Sequence, residues 1–380
     1  MNAALRPTII GRGVVFAGAA GGEHSSANFP SVCALAGGRW LCGFRAVARK
    51  ADVFPQHFLL TQSDDAGRRW SRPVEPFAAP KVDGKPGTFR SGALTALGGS
   101  QAQAVLYWVD CSDPARPFFN ERTEGLLDSL IFLSRSNDNG ATWTPPQRVN
   151  TAPFNMPTPI TGPLLLMRNG EWALQFETNK SYDDPSPWVH ASVLMFSRDG
   201  GLSWPEHVKV SEDPEGRFFY WDQRPTVLAD GSLLDVFWTF DRRKSAYLNL
   251  HARTSLDHGR TWSPIRDIGV PGQAGTPVPL ADGRIVLPYM DRTGVPMLKV
   301  RVSADGGRSW SDSTEAVLDD SIRHSQQRER TTMQETWSDM DKFSIGLPTG
   351  IALADGSVLL VYYGGPEADC SGIHWIRLKV

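Results

Sequence analysis

The segment Phe218-Phe219-Tyr220-Trp221-Asp222-Gln223-Arg224-Pro225 gathers three kinds of side chain suited to one task. The rings of Tyr220 and Trp221 suit the apolar faces of a sugar, and Gln223 adds an amide. Asp222 can bond hydroxyls or move a proton, and Arg224 can grip a carboxylate through two N–H groups. Arg45 and Arg90 stand in separate parts of the chain and could join Arg224 in a clamp on one anionic group. Glu177 offers a second carboxylate, and His57 a general acid or base near neutral pH. Tyr289, with Asp291 and Arg292 two and three residues on, could attack a substrate, as could Tyr220. A tyrosine of pKa about 10 needs a neighbouring base or cation for that. Asp241 and Arg242 complete the candidate binding residues. A structural role fits the same residues: arginines paired with Asp241 or Asp291 between sheets, Glu177 capping a loop, His57 bonded to a carbonyl.

These residues are far apart in sequence, so something must bring them together. The chain carries one octapeptide five times: Ser63–Trp70, Ser136–Trp143, Ser197–Trp204, Ser255–Trp262 and Ser303–Trp310. The shared form is Ser-x-Asp-x-Gly-x-(Thr/Ser/Arg)-Trp. Its Asp can accept bonds from backbone amides further on, its Gly supplies a positive φ, and its Trp is expected to pin the turn against its own sheet. Each copy follows a strand-like run, so each predicts a hairpin turn with a structural Asp. A second repeat interleaves with it, a strand, a tight turn at Asp230-Gly231, Asp282-Gly283 or Asp355-Gly356, and another strand. Weaker versions lie near Gly38, Gly98 and Gly170. Six such hairpins, about 50–70 residues apart, predict an all-β, six-bladed β-propeller of four-stranded antiparallel blades filling residues 1–380 as one domain. The last blade has no octapeptide, and Thr8–Phe16 is expected to supply its missing outer strand and close the ring. Second strands would end at Arg45, Asp110, Glu177, Asp241-Arg242, Asp291-Arg292 and Tyr362-Tyr363. Arg90 and Asp222–Arg224 would enter inner strands, so all approach one mouth of the central channel.

Composition agrees. The 380 residues include 36 Gly, 28 Pro and 13 Trp, which fits many short strands and turns. A formal net charge of −2 argues against nucleic acid or a membrane surface as partner, and no long apolar run spans a membrane. The four cysteines suggest neither disulfides nor metal ligation. Cys33 and Cys42 are expected as buried thiols, paired 33:42 if Ala36 opposes Arg39 across the turn. No His/Cys/carboxylate cluster shows ligand spacing, so no metal or other cofactor is expected. Thr8–Ala20 is interrupted by Arg12 and reads as a strand rather than a signal peptide, which favours the cytoplasm over export. The charged insert His324–Glu335 reads as a solvated loop, a lid over the channel or a contact with a second copy of the chain.

The five octapeptides resemble the Asp-box (BNR repeat) of the sialidase, or neuraminidase, superfamily, over essentially the whole chain. The resemblance implies a six-bladed propeller glycosidase whose site lies on the face opposite the Asp-boxes. It further implies three arginines for the substrate carboxylate, an Asp acid/base and a Tyr nucleophile activated by Glu. The Arg-Ile-Pro position reads Asn28-Phe29-Pro30, and the expected Tyr position falls in Phe343–Pro348, which holds none. The acid/base position falls near Asp52 or His57. The leading expectation is therefore a hydrolase acting on a terminal, acidic sugar of a glycan. The alternatives are a uronate lyase, with Arg neutralising the carboxylate and His or Tyr removing the α-proton, and a non-catalytic carbohydrate-binding propeller.

Overall fold

In the computed structural model, residues 6–155, 157–322 and 332–380 are described. Among them the structure is an all-β propeller, with short antiparallel sheets built from consecutive chain segments. One sheet runs Gly87–Gly98, Gln101–Asp110, Ser129–Ser136, Gln147–Arg148. The next runs Leu165–Leu166, Trp172–Glu177, Ala191–Ser197, Glu206–Glu212. A third is built on Leu233–Asp241, which pairs with Phe218–Trp221 and Thr226–Val227 on one side and His251–Ser255 on the other. A fourth is centred on Ile285–Asp291 and Met297–Ser303. The seven-stranded sheet joins Ile345–Ala352, Val358–Glu367 and Cys370–Lys379 to Ser26–Ala34, Trp40–Val47 and Gln56–Ser63. Among the described residues its two halves are joined in strand pairing by the parallel pair Ser26–Ser371 alone. Thr8–Phe16 pairs antiparallel with Cys370–Lys379, from Thr8–Lys379 to Phe16–Ile373, as expected of a ring-closing strand.

The five octapeptides are the turns expected of them. In each, the Ser hydroxyl donates to the Asp carboxylate at 2.7–3.0 Å. The backbone amide four residues past the Asp donates to the same carboxylate at 2.8–2.9 Å. The Gly amide closes the loop on the Ser oxygen at 2.8–2.9 Å with its φ positive, where a Cβ would strain the turn. These bonds stabilise the ionised form and hold the five Asp carboxyls down to about 2. The tryptophans do more than the sequence suggested. Trp204 packs with Leu133 and Ile131 of one sheet and Leu174 and Met195 of the next, so it fills the seam between sheets. The seams are the core, since large apolar residues of neighbouring sheets share single clusters.

Two local expectations are corrected. The turn at Ala36–Gly38 is kinked, with positive φ at Gly37 and Gly38, and the hairpin register is shifted so that Cys33 pairs with Leu41 and Val32 with Cys42. Cys33 and Cys42 are buried free thiols, as read. The charged insert lies partly outside the described residues (324–331). Its end, read as loop, instead begins α1, Met333–Met340, through a capping box in which Thr332 and Glu335 bond each other's backbone amides.

Candidate active site

Inner strands kink where they reach the channel mouth. Pairing slips between Asn28 and Ser31, between Phe89 and Ser91, and between Gly346 and Thr349. Phe29, Asp222 and Leu347 have positive φ at these kinks or at the break between two inner strand pieces. A kink re-aims the side chains of an otherwise alternating strand. Phe29, Asp222 and Leu347 thus turn into a cavity of about 390 Å³. That volume is at the lower end for a small-ligand pocket.

Six of the fourteen sequence-selected residues line this cavity: Arg45, Arg90, Glu177, Trp221, Asp222 and Arg224. The three arginines differ in what they have left to offer. Arg45 is fully buried and spends its guanidinium on the protein, donating to Gln56 Oε1 at 2.6 Å, Asn28 Oδ1 at 3.3 Å, Lys50 O at 2.9 Å and Asp52 O. It braces the mouth. Arg224 bonds the Thr161 and Ala274 carbonyls and lies 3.6 Å from Asp222. Arg90 is buried over the Phe118 ring at 4.1 Å, and its Nη1 has no hydrogen-bond partner among the described residues. Burial lowers its pKa, and Asp341 partly offsets this.

Two carboxylates face the same space. Asp222 accepts from Gln273 Nε2 at 2.6 Å. Glu177 lies 3.4 Å from the Nε2 of His190, a buried ring, and its Oε1 is buried without a hydrogen bond among the described residues. Aromatic walls come from Phe118, Trp188, Trp221, Trp238 and Trp337, with Trp337 of α1 stacked on Phe119 at 4.5 Å.

The other eight candidates lie outside the cavity, each for a local reason. Strand alternation puts Tyr220 on the face opposite Trp221, against Phe237 and His251. Gln223 is buried and stitches sheets together, donating to the Phe176 and Val193 carbonyls at 2.7 and 3.0 Å. Asp241 pairs with Arg217 at 2.9 Å, and Arg242 with Glu124 at 2.5 Å. Tyr289 sits inside its sheet and donates to Glu315, which also receives Arg301 at 2.9 Å. Burial and Glu315 raise the Tyr289 pKa far above its ordinary value, which does not suit a nucleophile. Asp291 pairs with Lys299 at 2.9 Å. Arg292 lies one layer behind the wall, over the Phe343 ring at 3.9 Å and bonded to the Ile345 carbonyl at 2.7 Å. His57 is on the outer rim between Glu75 and Glu23.

The cavity also contains residues that the sequence did not single out. Lys50 donates to the Met340 and Phe343 carbonyls, both at 2.7 Å, and to the Tyr363 hydroxyl at 3.3 Å. Burial first, then Arg292, lowers its pKa to about 7. Asp341 and Trp337 arrive from α1 and the turn after it.

Residues 112–322 match the BNR repeat-like domain, which is more than half of the chain. The chain belongs to the BNR-repeat family of sialidase-superfamily propellers. A sialidase of Micromonospora viridifaciens is 29% identical over 208 residues, 48% of this chain and 31% of that protein. The chain therefore spans under a third of that relative's length. A protein of unknown function from Dyadobacter fermentans has the same fold, with TM-score 0.73, 20% identity and coverage of 98% of this chain and 99% of that one. The intramolecular trans-sialidase of Ruminococcus gnavus, solved with oseltamivir carboxylate, gives TM-score 0.67 at 13% identity over 100% of this chain and 99% of its own. At such identities the likeness is one of fold.

Within this BNR-repeat chain, Asn28 stands where the resemblance placed the first arginine, and its side-chain oxygen is taken by Arg45. No tyrosine comes from the last inner strand, but Tyr363 reaches the cavity from the strand beside it. Burial pushes its hydroxyl up to about 12, with Arg292 opposing.

Proposed function

We propose that this chain is a glycoside hydrolase that releases a terminal acidic sugar, working in a propeller of six radial units. The six-unit count is supported by dividing the seven-stranded sheet at its single Ser26–Ser371 pair. One observation carries the functional reading: the buried Arg90 Nη1 has no hydrogen-bond partner among the described residues, and Arg90 shares its cavity with Glu177 and Asp222. A charged donor left unbonded in a protein interior is costly, and an anionic ligand would satisfy it. The sugar carboxylate docks on Arg90, and the sugar ring lies against the tryptophan wall. One of the two carboxyl groups, as the acid, protonates the glycosidic oxygen as its bond to the anomeric carbon breaks. The other, ionised, faces the developing positive charge. Water then adds its oxygen to that carbon and gives its proton to a carboxylate, which balances the reaction.

A second reading is favoured by Lys50. An amine held near pKa 7 against the Tyr363 hydroxyl is a base suited to removing a proton beside a uronate carboxylate. A screen of sialosides, uronides and neutral aryl glycosides separates the two. Reducing-sugar release without new ultraviolet absorbance is the hydrolase result. Absorbance growing at about 235 nm, the conjugated product of a lyase, would replace the hydrolase reading. Binding without turnover on every substrate would leave a glycan-binding propeller.

A further inference from the structure

We propose that Glu23, His24 and His57 form a binding site for a first-row divalent cation, zinc foremost. One ligand atom from each residue lies within 4.8 Å of the other two. The two imidazoles meet edge to face with centroids 5.0 Å apart. The Nε2 atoms of both rings are buried and have no hydrogen-bond partner among the described residues, although His57 Nε2 stands 3.4 Å from Glu23 Oε1. Buried ring nitrogens ordinarily find a partner, so two unbonded ones beside a carboxylate call for an explanation.

The partner of the other His57 nitrogen supplies one. His57 Nδ1 is 2.9 Å from Glu75 Oε2. A carboxylate there holds the proton on Nδ1, which leaves the Nε2 lone pair directed at Glu23 and His24. This is the arrangement in which a histidine ligates a metal and a carboxylate behind it fixes its tautomer. Two imidazoles and one carboxylate suit zinc or its first-row neighbours better than calcium or magnesium, which prefer all-oxygen sets. Three protein ligands leave a fourth tetrahedral position for water. The Glu23 side chain is 67% exposed and so is free to close on an ion.

The ligands come from two places in the fold. Glu23 and His24 lie on the loop that links the ring-closing strand Thr8–Phe16 to Ser26–Ala34, and His57 is on the strand Gln56–Ser63. A bound cation would fasten that loop to its sheet at the rim. Sequence spacing gave no sign of this site, because 33 positions separate His24 from His57.

The test uses the full chain without an affinity tag, stripped with chelator and titrated with zinc chloride by calorimetry. One equivalent per chain is expected, with a raised melting temperature and, for cobalt in place of zinc, the visible bands of a tetrahedral site. His24→Ala and Glu23→Gln should each lower affinity by at least about 100-fold, and Glu75→Gln by about 10–100-fold, as outer-shell partners do. Circular dichroism verifies that each variant is folded, and the exposed Glu23 makes its variant the safest control. If the wild-type chain took up no zinc, the proposal would fail. Equal uptake by the wild-type chain and the folded Glu23→Gln and His24→Ala variants would overturn it too.

Discussion

Replacing Arg90 by Met should make the protein more stable and less able to hold an acidic sugar. The guanidinium is buried, its Nη1 has no hydrogen-bond partner among the described residues, and its main local compensation is the Phe118 face at 4.1 Å. Taking an ion out of water costs several kcal/mol even after the protein relaxes. A desolvated cation–π contact returns about 2 kcal/mol, and Asp341 adds some attraction. The balance leaves Arg90 a net cost to folding of about 1–2 kcal/mol, so Arg90→Met, which keeps an unbranched apolar chain in place of the guanidinium, should melt at a higher temperature. The same change removes a charge-assisted contact to substrate of about 3 kcal/mol, roughly a 150-fold loss in kcat/KM. Scanning calorimetry would be run beside turnover of a carboxylated glycoside and its neutral analogue. The loss should fall on the carboxylated substrate and spare the neutral one. A lower melting temperature together with equal losses on both substrates would refute the argument and make Arg90 a structural brace like Arg45.

Lys50 should give stability a pH dependence of defined sign. Its pKa is about 7 when folded and 10.5 when exposed, so between those values the unfolded chain binds more protons. Stability should therefore rise with pH across that window, and Lys50→Met should remove the rise in urea titrations taken from pH 6 to 9. The Asp-box carboxyls act in the opposite range. Their folded values near 2 lie below the ordinary 3.8, so the stability they contribute is present above about pH 4 and lost towards pH 2. Acid unfolding followed by tryptophan fluorescence should fall in that window, and Asp305→Asn should move its midpoint upwards. Gly87→Ala would place a Cβ 1.8 Å from Trp108 Cε2. It should destabilise the chain by about 3 kcal/mol or more, and Trp108→Leu should recover part of that loss in the double variant.

The fold was readable where its signals are local. An Asp-box closes on itself within seven residues, so Ser136, Asp138 and Gly140 declare their turn without help from the rest of the chain. Strand ends such as Glu177 and Asp241 fell where expected, because hairpin turns set strand lengths. The cavity was half readable. Trp221 and Tyr220 were both selected, but strand alternation sends one inwards and one away. Lys50 and Asp341 lie on connections whose course depends on distant packing, and neither carries a motif. The Thr332–Glu335 capping box was present in the sequence, yet the surrounding charge read as solvated loop.

The cavity side of the propeller departs from its repeat because its backbone does. Five near-identical turns at one end of the propeller would by themselves make equivalent strands and an equivalent set of side chains at the other end. The inner strands avoid this with kinks, and the positive φ of Phe29, Asp222 and Leu347 costs each of them of order 1–3 kcal/mol. Such a cost persists only where the surroundings hold it in place. Gln273 fixes the Asp222 carboxylate, Arg45 fixes Asn28 beside Phe29, and Lys50 fixes the α1 connection opposite. The braces around the mouth therefore do what the Asp-boxes do at the other end, but with a different residue in each sheet. One consequence is testable at the level of the whole cavity. Freeing a single brace, as in Gln273→Leu, should disturb substrate affinity at Asp222 while leaving the melting temperature within a few degrees, because the seams between the sheets carry the fold.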